Sequence, residues 1–434
     1  MGTTISVISI AIGIGLMVIL CFAKFKTLPA TILAALVVGL LSQLSIGEIF
    51  DLYQEGAMNA VSGFFLLTAF GGMFGILMER SGAASKIVGV LVSKIGNKGT
   101  IFALSILFAL MNSYGGMGAG AAFMMAPLFL QLLQRMDLPR NMLAGLVYSA
   151  MGGYCICYPG TVSSINLMPM EILGTTPTAG GVLNWVLLPC GIFLTLGYWY
   201  VAFKIAKKRG SHFVALPGDE EALTRGISES AMSLGRAFLP MILLVGLLNF
   251  TSLNTYLSFI ISIVFGFIVF WKYLPADKQE VLNSGFMSAT VVFNIMAAVG
   301  LGTVLKGTIG FTAIQNFAQN FTSGNPYWNL WVSGNLITGT LASGGGSIGL
   351  MANTIAQDAI AAGCNVGAVH RIICVISQAF DTLPHNGTTC MILGVCGLTH
   401  KDGYFHMFMT SLVIPFILSI IAVLVAIVVY PVAL

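Results

Sequence analysis

The sequence predicts an all-α polytopic membrane protein: two inverted repeats, about ten transmembrane spans plus two re-entrant hairpins, and broken helices at the midplane. Three observations lead there. Hydrophobic residues make up 57% of the 434-residue chain and charged residues only 8%, about a third of the roughly 25% charge of soluble domains. Apolar runs of about twenty residues recur from end to end, and mean hydropathy is +0.93. The two halves also carry matching landmarks at a fixed offset. This composition excludes a soluble enzyme, a nucleic-acid binder and a disordered scaffold. The formal charge of +4 bears on topology rather than on polyanionic partners.

In chain order, the spans are expected near 5–23, 28–47, 56–78, 141–168, 181–204, 233–251, 253–274, 282–305, 369–396 and 406–430. The stretches 99–134 and 329–362 are each interrupted by a glycine cluster and read as re-entrant hairpins. Residues 1–207 then form the first repeat (hairpin 99–134, broken span 141–168). Residues 208–230 form a cytoplasmic linker, and 231–434 the second repeat (hairpin 329–362, broken span 369–396). With the polar stretch 205–230 inside, counting outward puts both termini outside. Of the 19 Lys and Arg, 17 then lie on the inner side and only Lys306 and Arg371 on the outer, as the positive-inside rule requires. The first segment lacks a charged leader and is expected to be a retained span. The eight cysteines read as small apolar packing residues.

The repeat has an offset near 228 residues: Gly72, Leu77 and Gly82 map onto Gly300, Leu305 and Gly310. NSYGGMG (112–118) faces ASGGGSIG (342–349), and YPGTVSS (158–164) faces LPHNGTT (383–389). Five crossings per half, an odd number, invert the second copy. Inverted repeats with paired Gly/Pro interruptions are a transporter signature, and the interruptions point to the binding site.

In a bilayer, backbone leaves helical geometry only where it lines a cavity. Ser113, Tyr114, Gly115 and Gly116 are expected to turn tightly on positive-φ glycine. The helix restarting beyond them would aim free N–H groups at the midplane. Ser343, Gly344, Gly345, Gly346 and Ser347 are expected to do the same from the other side. In the broken spans, Tyr158, Gly160, Thr161 and Ser163, with His385, Asn386, Gly387 and Thr388, are expected to line a polar pocket. Helix ends there hold an anion without an arginine. Arg371 and Lys306 are placed near the outer surface, leaving no arginine at depth, which favours a small, weakly charged anion. Asp381, with His385 four residues on, is the candidate for proton coupling, since intramembrane ionisable residues are costly. A hydrogen-bonded pair bracing the broken helix is the alternative. No H-E-x-x-H or G-x-x-x-x-G-K-[ST] pattern is present; neither an enzyme nor an ATP-driven pump is expected, nor any metal or cofactor.

FGILMERSGAASKI (74–87), YPGTVSS, and DTLPHNGTTCMILGVCGLTH (381–400) resemble the gluconate permease (GntP-type) family of the ion-transporter superfamily. The likeness is nearest to its 3-hydroxybutyrate-permease-like branch. The resemblance implies proton-coupled import of a short hydroxy- or keto-carboxylate, 3-hydroxybutyrate-like or a sugar acid such as gluconate. It also implies a multi-pass protein of the cell inner (plasma) membrane, a homodimer, and an elevator motion. Where gluconate-type members have a proline- and histidine-rich run, this chain has GGYCICYPGTVSS, which suits a smaller, less hydroxylated substrate. Sodium is the alternative coupling ion, because Ser, Thr, Asn and unwound carbonyls suit it as well.

Overall fold

The computed structural model describes residues 2–432 except 24, 26, 116–120, 152, 217, 218, 220–231, 252, 288, 290, 322, 323, 342, 384 and 385. Every regular element among the described residues is helical. The first half contributes α1 (Gly2–Phe22), α2 (Thr27–Leu41), α3 (Ile46–Arg80), α4 (Ala83–Gly115), α5 (Ala121–Met136), α6 (Leu143–Met151), α7 (Ser164–Leu173) and α8 (Val182–Lys208). The second contributes α9 (Leu234–Phe250), α10 (Thr255–Phe270), α11 (Lys278–Met287), α12 (Val291–Lys306), α13 (Ile309–Phe321) and α14 (Pro326–Leu341). It continues with α15 (Gly344–Asn353), α16 (Ile355–Ala361), α17 (Val366–Ala379), α18 (Gly387–Val395), α19 (His400–Phe408) and α20 (Ile414–Val429). A π-turn, Met409–Val413, joins α19 to α20 as one continuous helix.

The chemistry of these helices is split between body and ends. Helices α1 and α10 carry no charged residue, so they suit an apolar solvent in which every backbone group is bonded within the helix. Polar side chains act at the starts: Ser233, Asn254, Asn365 and Thr399 cap α9, α10, α17 and α19 by accepting from backbone N–H groups. Among the described residues, α8 and the helix His400–Val429 are long and apolar enough to cross a bilayer unaided. They coincide with the last span expected in each half.

Some elements differ from expectation. The span expected at 282–305 takes in the end of α11 and most of α12; Ser288 and Thr290 between them lie outside the described residues. Helix α13 and the first half of α4 lie outside every expected span. Gln315, Asn316, Gln319 and Asn320 interrupt the apolar run in α13, as Lys86, Lys94 and Lys98 do in α4. A hydropathy reading therefore passes over both.

Packing is reciprocal between the halves. Helix α2 lies on α12 while α10 lies on α3, and α13 lies on α1 while α4 lies on α9. The long contact between α3 and α12 joins these into one body. A second group packs on α17, which touches α7, α14, α15 and α20 and is buried from Ala368 to Ala379. Helix α8 packs on α20 at the flank of this second group. The outer faces remain apolar, with Phe193 on α8 and Val428 on α20 both exposed, as a lipid-facing surface would be.

Candidate functional site

The first break follows the buried 3-10 turn Gly153–Cys157. Gly160 adopts φ +74°, a left-handed conformation that glycine takes without steric cost. The chain then runs to Ser163, the residue before α7. The C-terminal end of α4 holds this segment in place. Ser113 O accepts from Val162 N at 2.7 Å and from Thr161 Oγ1 at 2.8 Å. Ser113 Oγ donates to Cys155 O at 2.8 Å, and the Tyr114 hydroxyl donates to Pro159 O at 2.6 Å. The backbone groups freed by leaving the helix are thus bonded to the neighbouring arm rather than orphaned. Tyr158 is buried, and its hydroxyl has no hydrogen-bond partner among the described residues.

The second break lies between α17 and α18, after the short turn Phe380–Thr382. Here α15 holds the chain through a side chain. Gly344 N donates to Asp381 Oδ1 at 2.8 Å, and Asn386 Nδ2 donates to the same oxygen at 2.8 Å. Asn386 Oδ1 in turn accepts from Thr389 N at 2.9 Å. Contrary to expectation, Gly344, Gly345 and Gly346 do not form a positive-φ turn: they are the first turn of α15, capped by Ser343 Oγ, which accepts from Gly346 N. Their smallness serves close approach instead. A Cβ on Gly344 would lie 2.9 Å from Asp381 Oδ2 and 3.0 Å from Ser377 O. Ser347 is buried and donates to Gly344 O at 3.1 Å. Gly387 opens α18 and Thr388 is half-buried beside it. Gly115 ends α4. Gly116 and His385 lie outside the described residues.

With this geometry in view, comparison with known proteins is specific. The sequence profile described as "GntP family permease" matches residues 5–152. The chain is 24% identical over 459 residues to the "Uncharacterized transporter YxjC" of Bacillus subtilis (strain 168), covering 94% of this chain and 96% of that one. It is 24% identical over 373 residues to the "High-affinity gluconate transporter" of Escherichia coli (strain K12), covering 80% of each. A shorter match, 29% over 106 residues, is to the "Inner membrane permease YgbN" of the same organism, covering 24% of this chain and 23% of that one. The chain is thus similar over most of its length to transporters, and over its first third to the gluconate permease family profile. The relatives are described as transporters or permeases, one of them of the inner membrane.

The two breaks are also linked to each other. Asn166, on α7, donates through Nδ2 to Thr161 O and Pro177 O. That orientation turns Oδ1 toward α17, where it accepts from His370 Nε2 at 3.1 Å and Arg371 NH2 at 3.0 Å. An accepting Oδ1 requires His370 to carry its proton on Nε2, leaving Nδ1 to accept from Thr175. Tyr148, on α6, lies beside Asp381, Thr382 and Thr389 of the second break. The arms also cross over: α15 packs on α7 and α5 on α18.

Arg371, which the sequence places at the outer end of its span, has its side chain fully buried within the protein, while Lys306, placed on the same side, is exposed. An arginine flanked on both sides by apolar segments is the sequence signal for such burial.

A cavity of about 640 Å³ lies between α3, α10 and α12 on one side and α7 and α15 on the other. Glu55, Glu171 and Lys306 supply its charge. Among the described residues of the predicted site, Gly346 lines it.

Proposed function

We propose that this permease is a secondary active importer of a short hydroxy- or keto-carboxylate, 3-hydroxybutyrate-like or a sugar acid such as gluconate. Proton coupling runs through Asp381, with His385 as its partner. The observation that carries the reading is that each break is laced to the arm of its own half, Ser113 to Thr161 and Gly344 to Asp381. Arm and break then move as one unit. The predicted residues of both breaks, from Ser113 and Tyr114 to Asn386 and Thr388, form the substrate site. The gluconate transporter among the relatives supports a carboxylate.

The reciprocal packing supports two inverted repeats with re-entrant arms. The cavity between the α3–α12 body and α7–α15 supports an elevator, in which the second group slides past the first. A homodimer joined through the first body, both termini outside and residence in the inner membrane complete the reading. Uptake of labelled C3–C6 carboxylates into proteoliposomes, under imposed proton or sodium gradients, tests it. Accumulation driven only by sodium would transfer the coupling role to sodium, and no carboxylate uptake under either gradient would end the proposal.

A further inference from the structure

We infer that Arg371 is the fixed positive charge by which the permease selects an anionic substrate, acting across the first break on the carboxylate held there. This rests on the proposed uptake of a short carboxylate. The guanidinium is fully buried, and its acceptors are all neutral. Nε and NH2 donate to Ala179 O, NH1 donates to Ile156 O at 2.8 Å, and NH2 also donates to Asn166 Oδ1. Among the described residues no carboxylate lies within 4.0 Å of it, whereas Arg140 and His212 each have one. Hydrogen bonds to carbonyls fix where the group sits without cancelling its charge. A buried cation lacking a counter-ion is expensive to keep; an incoming anion offsets that cost.

Position strengthens the argument. Arg371 belongs to the second half yet grips both flanks of the first break, Ile156 before it and Asn166 after it. The carbonyl that its NH1 grips, Ile156 O, lies two residues before Tyr158. Tyr114 meets Tyr158 edge-on with ring centroids 6.0 Å apart, and Tyr158 presents a buried hydroxyl with no partner among the described residues. A buried donor with nothing to bond and a buried cation with nothing to neutralise it thus share one neighbourhood. A carboxylate satisfies both: an oxygen accepts from Tyr158 while the net charge interacts with Arg371 at longer range. At about 10 Å and an effective dielectric near 20, such a charge changes affinity for a monoanion by about tenfold and leaves a neutral analogue unaffected.

The test compares acids with their amides on the full-length protein in proteoliposomes. Labelled 3-hydroxybutyrate and gluconate uptake is competed with each unlabelled acid and with 3-hydroxybutyramide and gluconamide. In Arg371→Gln the half-inhibitory concentration of the acid rises about tenfold while that of the amide stays put; Arg371→Lys stays near the parent. Asn166→Asp places a carboxylate beside an intact Arg371 and reproduces the acid-selective loss, which keeps the test decisive where Arg371→Gln does not fold. A parallel shift of acid and amide marks a purely structural role and overturns the inference, as does an unchanged acid in both variants. A parent that takes up neither acid overturns the substrate reading itself, before any variant is made.

Discussion

Gly344 and Asp381 are joined by a 2.8 Å hydrogen bond from the glycine amide to the carboxylate Oδ1. One bond ties the start of α15 to the break after α17, and Asn386 closes the arrangement from the far side of that break. A carboxylate receiving two N–H donors at one oxygen is fixed in orientation. Any change in its protonation is therefore felt directly by the arm.

Asp381→Asn keeps an oxygen for Gly344 but cannot ionise. It is expected to abolish accumulation driven by a pH jump while preserving counterflow exchange. Asp381→Ala removes the acceptor, leaves Gly344 N unpaired, and should lose both activities with about 1–3 kcal/mol of stability. Counterflow and pH-jump uptake on the two variants separate the roles. Parent-like pH-driven accumulation in Asp381→Asn would remove Asp381 from the coupling.

Gly344→Ala is expected to destabilise by about 1–3 kcal/mol and to depress transport, because its methyl meets the backbone of Ser377 as well as the Asp381 carboxylate. Gly197→Ala is the control, since no heavy atom lies within 4 Å of a Cβ there. Thermal unfolding in detergent should show a lowered midpoint for the first and an unchanged or raised one for the second.

Those glycines show what sequence can and cannot reveal. The clustering of Gly344–Gly346 beside Ser343 marks the point where α15 begins, and Pro159-Gly160 marks a real departure from helix, with Gly160 at positive φ. Sequence could not show that Gly344–Gly346 would be helical, because a glycine needed for close approach looks the same as one needed for a turn. The burial of Arg371 is hidden from sequence for a related reason. Hydropathy locates residues along a span, but burial against Ile156 and Asn166 depends on which helices become neighbours. Helix α13 was missed because its amides hide a packing face that appears only once α1 lies against it.

The alanine variants of the second break should differ in kind. Asn386 bonds both Asp381 and Thr389 N, and Ser347 is buried and bonded to Gly344 O. Asn386→Ala and Ser347→Ala are therefore expected to lose stability, by about 1 kcal/mol or more each, as well as substrate affinity. Thr388 is half-buried, and Thr388→Ala should raise the half-saturation concentration with thermal stability unchanged. Paired uptake and unfolding measurements check this; parent-like uptake in all three variants would move the site elsewhere.

The last prediction concerns the polar segment that precedes the second half. Arg140, just before α6, forms a bidentate pair with Asp219, with Nε to Oδ2 at 2.8 Å and NH2 to Oδ1 at 2.7 Å. Both side chains are largely buried. Burial pushes the Asp219 carboxyl up, but the hydrogen bonds from Arg140 and from Leu216 N outweigh it and hold the group below the ordinary carboxylate value. A depressed folded-state value means the stabilisation is fully present above the unfolded value near 4 and is lost as pH falls through the depressed one. Asp219→Ala leaves Arg140 buried without its counter-charge and should cost about 3–5 kcal/mol. Replacing both residues by apolar ones of similar size should cost much less, because neither charge is then stranded. Unfolding midpoints measured from pH 7 down to about 3 should fall in the parent at the acid end. In Asp219→Ala they should start lower and change less over that range. Equal acid sensitivity in parent and variant would show that this pair does not set the response.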